Sequence, residues 1–460
     1  MSKNKTFLSA ICVIFLLGVG CFYPISPTVS IFDNKPDKNN TLNTTKLKSS
    51  AIPVLSLQNY TLDNTIANVE ISEDGNYIVA STSYTISLFN KSSSKSMWNF
   101  TMADSIAVMD LAISANGTYI AVGSEDGVAL FNNTYSINKL PMWNYSLGDY
   151  GYSVEISLDG FYIAVGTWNS HKIFLFNNTY SASKTPMWSY TTQNTVDSVA
   201  ISADGTYIAA GGKDSTVYFL NKTYSTSKTE MWKFNTTNDI KSIDISVDGR
   251  YIAVAHSGSS GGNISYFDTT QKTRLWKYDH FSGYAVHSVD MSADGKYLVS
   301  WGDLGFKSVA TTAGLFDNSI QTPKKSLWSV ISNGYVPKIS ADGYYAIVGY
   351  SNNVTLYDRS SSTDKDYTWS YEMGGMAYDL AISANGSHVA ASSSDNKVYL
   401  LYWDVPEHPK PRLLTSNGDG DKHDEVPAEI PFGNFYLLII TLTVFCLIVI
   451  IRRKIIFKIK

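Results

Sequence analysis

Residues Val196–Phe234 read VDSVAISADGTYIAAGGKDSTVYFLNKTYSTSKTEMWKF and contain four short apolar runs. In chain order, the runs are Val196–Ile201, Tyr207–Ala210, Val217–Leu220 and Met231–Phe234. They are rich in β-branched and aromatic residues and are separated by Gly, Asp, Asn, Ser and Lys, a pattern typical of β-strands joined by turns. The pair Asp204-Gly205 can adopt the positive φ angles that a tight hairpin requires. This stretch therefore predicts a four-stranded antiparallel meander.

The turn phrase of this stretch, a Ser two residues before Asp-Gly or Asn-Gly, recurs along the chain. The copies begin at Ile71, Ile113, Ile156, Ile201, Ile245, Met291, Ile339 and Ile382. Neighbouring copies lie 42 to 48 residues apart, the period of four-stranded propeller blades. A single meander cannot bury both of its faces, so stacking the copies around an axis is how their apolar residues leave water.

The last copy predicts how the ring closes. It has only three strands and ends at Val398–Trp403, whereas Leu55–Leu62 (LSLQNYTL) resembles the fourth-strand phrase Met142–Leu147 (MWNYSL). An N-terminal strand that completes the last blade would leave no unpaired edge. We therefore predict an all-β fold, an eight-bladed β-propeller over residues 54–404. The alternative is a seven-bladed ring with an extra hairpin.

A tryptophan marks the fourth strand in seven copies. These residues are Trp98, Trp143, Trp188, Trp232, Trp276, Trp328 and Trp369. Large aromatic side chains that recur at blade spacing are typical of packing between neighbouring sheets, so we predict a structural role for them.

Two sets of phrases resemble known propeller repeats. Tyr218–Asn221 with Met231–Phe234, and Tyr266–Asp268 with Leu275–Tyr278, resemble the tryptophan-docking repeat of quinoprotein-type propellers, which commonly have eight blades. Ser202–Ala209 (SADGTYIA) resembles the inner-strand signature of WD-repeat-like propellers. The resemblance covers about residues 55–404 and implies the fold, not an activity. In style, the loops and stacked aromatics also resemble archaeal surface propellers.

Composition narrows the classes of function. The charged fraction is 17% and the net charge is −4, so the chain lacks the basic footprint of a nucleic-acid-binding protein, and we expect no nucleic-acid partner. The three cysteines are Cys12, Cys21 and Cys446, all in terminal apolar segments. Quinoprotein dehydrogenases carry an adjacent cysteine pair and calcium ligands in the funnel. The repeats here contain no cysteine, so we expect no cofactor.

Terminal segments predict a membrane topology. Residues 1–24 form a signal peptide or N-terminal anchor, with Lys3 and Lys5 before the apolar run Phe7–Val19. Residues 25–53 are a polar linker, 405–433 a Pro-rich acidic stalk, 434–451 a transmembrane helix and 452–460 a basic tail. Because positive charge stays in the cytoplasm, we predict a single-pass protein with an extracellular propeller and a cytoplasmic C-terminus.

Acceptor sequences of the form Asn-x-Ser/Thr predict a glycosylated ectodomain. The candidate acceptors in the turns and at the strand ends are Asn90, Asn116, Asn132, Asn177, Asn221 and Asn385. They end the third strand or lie in the first hairpin of a blade. In a meander these connections emerge on one face, which we call the lower face. The upper face carries the second-to-third and fourth-to-first connections, and we expect it to be the face available for a partner.

Aromatic residues outside the regular repeat concentrate on the upper-face connections. They are Tyr150, Tyr152, Trp168, Phe281, Tyr284, Trp301 and Tyr335. Exposed aromatics offer large contact area for little lost side-chain freedom, so we predict that they form a recognition surface. The alternative is that they fold into the funnel and close it.

Charged residues recur one place before the Ile or Met that ends the first strand. They are Glu70, Glu155, Asp244 and Asp290, with Lys338 in the seventh copy. Such carboxylates could bind a cation or accept hydrogen bonds from the adjoining blade; we assign neither a metal site nor a catalytic set.

We therefore interpret the protein as a membrane-anchored, non-enzymatic platform that binds a protein or glycan at the cell surface. Two alternatives remain: a hydrolase or lyase with its site in the funnel, and a structural unit of a surface coat.

Overall fold

The computed structural model describes residues 56–405 except 104–105, 135, 182, 259–260, 280–284, 304–310, 319–325, 333–336 and 361–366. In this part of the chain, 32 β-strands form eight antiparallel sheets of four strands each. The same residues contain no helix long and apolar enough to cross a bilayer. The predicted signal segment, stalk and transmembrane helix lie outside the described residues.

Each sheet is one blade, and its first strand lies against the first strands of its neighbours. Blade 1 contains β2 Ile66–Ile71, β3 Tyr77–Thr82, β4 Thr85–Asn90 and β5 Ser96–Thr101, and blade 2 contains β6 Val108–Ile113, β7 Tyr119–Ser124, β8 Gly127–Asn132 and β9 Trp143–Ser146. Blade 3 contains β10 Gly151–Ile156, β11 Tyr162–Thr167, β12 Lys172–Asn177 and β13 Trp188–Thr191, and blade 4 contains β14 Val196–Ile201, β15 Tyr207–Gly212, β16 Thr216–Asn221 and β17 Trp232–Asn235.

The remaining four blades contain both ends of the repeat region. Blade 5 contains β18 Asp239–Ile245, β19 Tyr251–Ser257, β20 Asn263–Asp268 and β21 Thr273–Asp279, and blade 6 contains β22 Val286–Met291, β23 Tyr297–Asp303, β24 Thr311–Asp317 and β25 Ser326–Ser332. Blade 7 contains β26 Lys338–Ile339, β27 Tyr345–Tyr350, β28 Asn353–Asp358 and β29 Trp369–Glu372. Blade 8 contains β30 Ala377–Ile382, β31 His388–Ser393 and β32 Lys397–Tyr402, and its fourth strand is β1 Ser56–Thr61.

The ring closes through the N-terminal strand, as predicted. β1 pairs antiparallel with β32, with Gln58 opposite Leu400. Gln58 thus occupies the register position that Trp143 holds opposite Leu130 in blade 2. Tyr60, two residues further on, is buried against Phe89 of blade 1, with ring centroids 4.2 Å apart. The chain therefore has eight blades, and the seven-bladed alternative is wrong.

The recurring turn phrase is held together by its own side chains. In blade 4, Ser202 Oγ donates to Asp204 Oδ1 at 3.1 Å and accepts from the Tyr207 backbone N–H at 3.0 Å. The same Asp204 oxygen accepts from the Thr206 N–H at 2.8 Å. Ser and Asp suit this position because short polar side chains can hydrogen-bond the backbone of a tight turn. All eight copies repeat the serine contacts.

The glycine of this turn also contacts the neighbouring blade. Gly205 has φ +67°, and a Cβ placed there would overlap the ring of Tyr162 from blade 3. The equivalent glycines of the other blades meet Tyr77, Tyr119, Tyr207, Tyr251, Tyr297 and Tyr345, with His388 at the closing seam. Backbone bonds reinforce the seams, as where the Ala203 N–H donates to Val247 O at 3.0 Å. The turn phrase therefore joins blades as well as strands.

The repeated tryptophans lie between blades, as predicted. Trp98 of blade 1 stacks on Phe131 of blade 2 with ring centroids 5.5 Å apart, and Trp143 meets Phe176 of blade 3 at 5.6 Å. Trp188, Trp232, Trp276 and Trp369 are likewise buried. The side chain of Trp328 lies outside the described residues.

We predict that Gly205→Ala lowers the free energy of unfolding by about 3 kcal/mol. A left-handed backbone costs a non-glycine residue about 1–2 kcal/mol, and overlap with Tyr162 adds about 1–3 kcal/mol. The matched control is Gly148→Ala, because Gly148 has φ +61° but open space around it. That variant should lose only about 1 kcal/mol. Chemical denaturation measures both, and equal losses would contradict the seam contact.

Candidate functional site

A β-bulge shapes the upper end of the axial channel. In seven blades, the residue four places before the recurring Ile or Met of the first strand has no partner in the second strand, so the register of the pairing shifts there. These residues are Ala67, Met109, Tyr152, Asp197, Lys241, His287 and Tyr378. Bulges re-aim side chains locally. Residues from adjacent blades then meet, since Lys241 Nζ lies 3.3 Å from Asp197 Oδ2.

Below this ring, the channel contains six carboxyl groups and one ammonium group. The carboxyl groups are Glu70, Asp110, Glu155, Asp244, Asp290 and Asp379, and the cation is Lys338. Lys338 Nζ lies 3.8 Å from Glu70 Oε1 and 4.0 Å from Asp290 Oδ1. Because Lys338 belongs to blade 7 and Glu70 to blade 1, it links residues across the eighth blade.

Sequence reasoning missed Asp110 and Asp379. They lie three residues before the conserved Ile, whereas Glu70, Glu155, Asp244 and Asp290 lie one residue before it. Positions two residues apart face the same side of a strand, so the period of two was a signal that could have found them.

Most of these carboxylates bond the next blade. Asp244 Oδ2 accepts from the Met291 N–H at 2.6 Å, and Asp290 Oδ2 accepts from the Ile339 N–H at 2.6 Å. Asp110 and Asp379 do the same for Val154 and Val69. Serines fill this role in other blades, as where Ser153 Oγ accepts from the Val199 N–H. The structural interpretation of inner-strand carboxylates is thus confirmed for Asp244 and Asp290.

Glu155 differs from the other channel carboxylates. Glu155 is exposed, whereas the other five acidic residues of the channel are only intermediate in exposure. Burial, reinforced by the nearby Glu70 and Asp110, raises the pKa of Glu155 well above its ordinary value. Of the four acidic residues singled out in the sequence, Glu155 is thus the one that projects most fully into the lumen.

Burial also raises the pKa of the other acids. The pKa of Glu70 rises to about 8, and those of Asp110 and Asp244 to about 7. Burial alone would lower the pKa of Lys338. The attraction of its ammonium group to the carboxylates of Glu70 and Asp290 is stronger than this effect of burial and raises the pKa of Lys338. At neutral pH the channel therefore holds protons on several carboxyl groups around one ammonium group. Within the described residues, no group of three or more His, Cys, Asp or Glu side chains could hold a metal ion.

The predicted upper-face aromatics are brought together in part. The rings of Tyr152 and Trp168 meet edge to face with centroids 4.5 Å apart, and Lys213 Nζ lies 3.9 Å from the Trp168 ring centroid. Burial, with Asp197 and Asp110 nearby, raises the pKa of Tyr152 to about 12. In blade 6, Trp301 packs against His287 at 4.6 Å.

The other predicted upper-face residues have different outcomes. Tyr150 is half-buried and follows Asp149, which accepts the N–H groups of Asn169 and Ser170. Phe281, Tyr284 and Tyr335 lie outside the described residues. The observed part of the surface is therefore the Tyr152–Trp168–Lys213 stack and the His287–Trp301 pair.

The acceptor asparagines all have structural roles. Asn116 and Asn385 take the Asp place in the turn phrase, since Asn116 Oδ1 accepts from Ser114 Oγ and Asn385 Oδ1 from Ser383 Oγ. Asn90 Oδ1 accepts from the Ser92 N–H. Lysines donate to the amide oxygens of Asn132, Asn177 and Asn221. These contacts give each asparagine a structural role, and glycosylation of their amide nitrogens stays a prediction.

Comparison with known families supports the class of fold. Residues 95–131 and 184–221 match the family model of the WD40 repeat, described as WD domain, G-beta repeat. Each match starts just before the fourth strand of one blade and runs through the third strand of the next, covering β5 to β8 and β13 to β16. The protein is thus a WD-repeat-like β-propeller, a class that generally serves as a protein-interaction scaffold. No curated protein matches the chain.

We predict that Lys338→Met destabilises the protein much more at pH 8 than at pH 5. The carboxyl pKa values are raised in the folded state, so those groups are largely neutral at pH 5 and need little compensation. Above about pH 7 they ionise without a countercharge, and removing one partner of a buried pair costs about 3 kcal/mol.

Thermal denaturation at both pH values tests this prediction. The pKa of these carboxyl groups is near 4 in the unfolded chain and near 7 to 8 in the folded protein. Between these pH values the folded protein binds more protons than the unfolded chain, so the free energy of unfolding of the unmodified protein should also fall as pH rises through this range. The control is Lys233→Met, which breaks the exposed pair with Glu230. An equal effect of Lys338→Met at both pH values would contradict the electrostatic role.

Proposed function

We propose that this propeller is a recognition platform whose protein partner docks over the upper mouth of the axial channel. One observation carries the proposal. The seven bulged residues are of six different types, with only tyrosine occurring twice, and the Tyr152–Trp168–Lys213 stack and the His287–Trp301 pair lie in the same blades as three of them. A rigid scaffold that presents varied loop side chains is typical of protein recognition.

The chemistry of the mouth favours a partner with both aromatic and charged contacts. Asp197 is nearly buried in its pair with Lys241, and Lys213 covers the face of Trp168. Tyr and Trp supply contact area with few rotatable bonds, and charged neighbours add specificity through complementarity. We therefore expect the binding energy to concentrate on Trp168 and Trp301.

The double variant Trp168→Ala/Trp301→Ala should weaken binding of a purified partner at least about tenfold, because buried aromatic anchors commonly contribute more than about 1 kcal/mol each. Partners would be identified by cross-linking at the cell surface and their affinities measured by biolayer interferometry. The control is Tyr180→Ala/Tyr224→Ala, which removes exposed tyrosines from the lower face. Equal binding by all three proteins would refute the upper-face site.

The proposal includes placement outside the cell. Its support is the order of terminal segments, with an apolar run after Lys3 and Lys5 and a second run, Phe435–Ile451, before Arg452 and Arg453. We expect external protease to digest the propeller on intact cells while an epitope tag after Lys460 stays protected. Protection of the propeller with digestion of the tag would reverse the topology.

One observation favours the alternative of a funnel enzyme. Glu155 opens to the channel and has a raised pKa, as a general acid requires. Turnover of a glycan by the unmodified protein that is abolished by Glu155→Gln and kept by Trp168→Ala/Trp301→Ala would favour a hydrolase or lyase over the platform.

A further inference from the structure

The third-to-fourth connections of blades 2, 3 and 4 repeat one sequence. They read NNTYSINKLPMW at residues 132–143, NNTYSASKTPMW at 177–188 and NKTYSTSKTEMW at 221–232. We call them the clamp loops. All three emerge on the lower face, opposite the mouth discussed above.

A lysine fixes each clamp loop to the preceding blade. Lys184 Nζ donates to Asn177 Oδ1 at 2.7 Å and to Thr179 O at 2.8 Å, and it lies 4.7 Å from the ring centroid of Trp143. Lys139 and Lys228 make the same three contacts, over Trp98 and Trp188 respectively. Burial lowers the pKa of Lys184 to about 8. The loops are thus pre-organised by the blades beneath them.

The clamp loops carry the most exposed large apolar side chains in the described part of the chain. Ile137 is 85% exposed, Leu140 73%, Tyr180 71% and Tyr224 67%, whereas other exposed side chains of this kind reach at most 50%. Side chains that stay in water contribute no burial energy to folding. Exposed apolar groups that are concentrated in one region are typical of interaction sites.

Charge narrows the chemistry of the ligand. Each charged side chain in the described parts of the clamp loops already has a partner within the chain. The three lysines occupy the clamps, Lys222 lies over Tyr162, and Glu230 pairs with Lys233. What the loops offer to a ligand is therefore tyrosine rings, aliphatic groups, hydroxyls and amides. Without uncommitted cations the surface does not suit polyanions, since phosphate binding depends on Lys and Arg.

We propose that the clamp loops bind a neutral glycan chain. The proposal rests on the platform function but uses the opposite face. The three loops share one sequence pattern at blade spacing, and Tyr180 and Tyr224 occupy equivalent exposed positions in two of them. A chemistry that repeats in this way matches a polymer of like units better than the irregular surface of a globular protein. Tyrosine rings pack on the apolar faces of sugar rings, while Ser, Thr and Asn groups hydrogen-bond their hydroxyls. Weak contacts at successive loops then add through linkage in one chain.

The experiment uses the full-length protein in detergent on arrays of neutral oligosaccharides of increasing length. Binding should strengthen by about a hundredfold from single sugars to chains long enough to reach two loops, as expected for linked weak sites. Tyr180→Ala/Tyr224→Ala should remove most of that gain. Its matched control is Tyr84→Ala/Tyr350→Ala, which removes one exposed tyrosine from the β3–β4 turn and one from the upper end of β27 and should bind like the unmodified protein.

The outcomes separate this site from the upper face. The proposal is supported if Tyr180→Ala/Tyr224→Ala loses oligosaccharide binding and Trp168→Ala/Trp301→Ala retains it. This result does not depend on whether either variant binds the protein partner. Lack of binding to every neutral glycan, equal binding by both tyrosine variants, or no dependence on chain length would overturn it. So would mass spectrometry showing glycans on Asn177 and Asn221 that shield Tyr180 and Tyr224 from nitration. Unchanged thermal unfolding of the tyrosine variant confirms that folding is intact.

Discussion

The structure depends on the contact between the turn glycine of one blade and the aromatic ring of the blade before it. A four-stranded meander has two apolar faces and is not stable alone, so each blade must present a surface that its neighbour can cover. Gly205 lets the ring of Tyr162 reach the backbone of the next turn, while Ser202 and Asp204 hold that turn in shape. The same phrase therefore specifies a hairpin and the angle at which blades meet.

Because the seams use so few positions, other positions of each blade are free to vary. The residues one and three places before the recurring Ile or Met vary in type, and in blades 2, 3, 4, 5, 6 and 8 a side-chain oxygen at one of these positions accepts a hydrogen bond from the next blade. The raised pKa values keep some of the channel carboxyl groups neutral, and the ammonium group of Lys338 compensates part of the remaining negative charge. Buried charge of this kind contributes less to stability than the apolar seams. Its value is a polar channel within a rigid frame.

The sequence predicted the blade count, the closing strand and the packing role of the tryptophans, since all three follow from a period that repeats eight times. The candidate site was predicted less well. Asp110 and Asp379 were missed because they fall at a different offset in a strand that also carries a bulge, which the repeat phrase does not show. For the acceptor asparagines the sequence predicted glycosylation and not their contacts with lysine. Lys184, which donates to Asn177, lies seven residues away in the chain and packs on Trp143 of another blade, and the repeat phrase shows neither contact.

The two faces of the ring differ for a physical reason. Upper-face connections contain neither the turn phrase that joins neighbouring blades nor a lysine clamp, so each can change without disturbing a seam, and their residues are irregular. Lower-face connections in blades 2 to 4 are anchored by the lysine clamps, so their sequence is constrained, and the exposed Tyr180 of blade 3 recurs as Tyr224 in blade 4. Irregular residues suit one partner with a unique surface, whereas a repeated set suits a ligand that is itself repetitive. A single rigid ring can thus present two recognition chemistries, because the seams set the frame and each face is built from connections under different constraint.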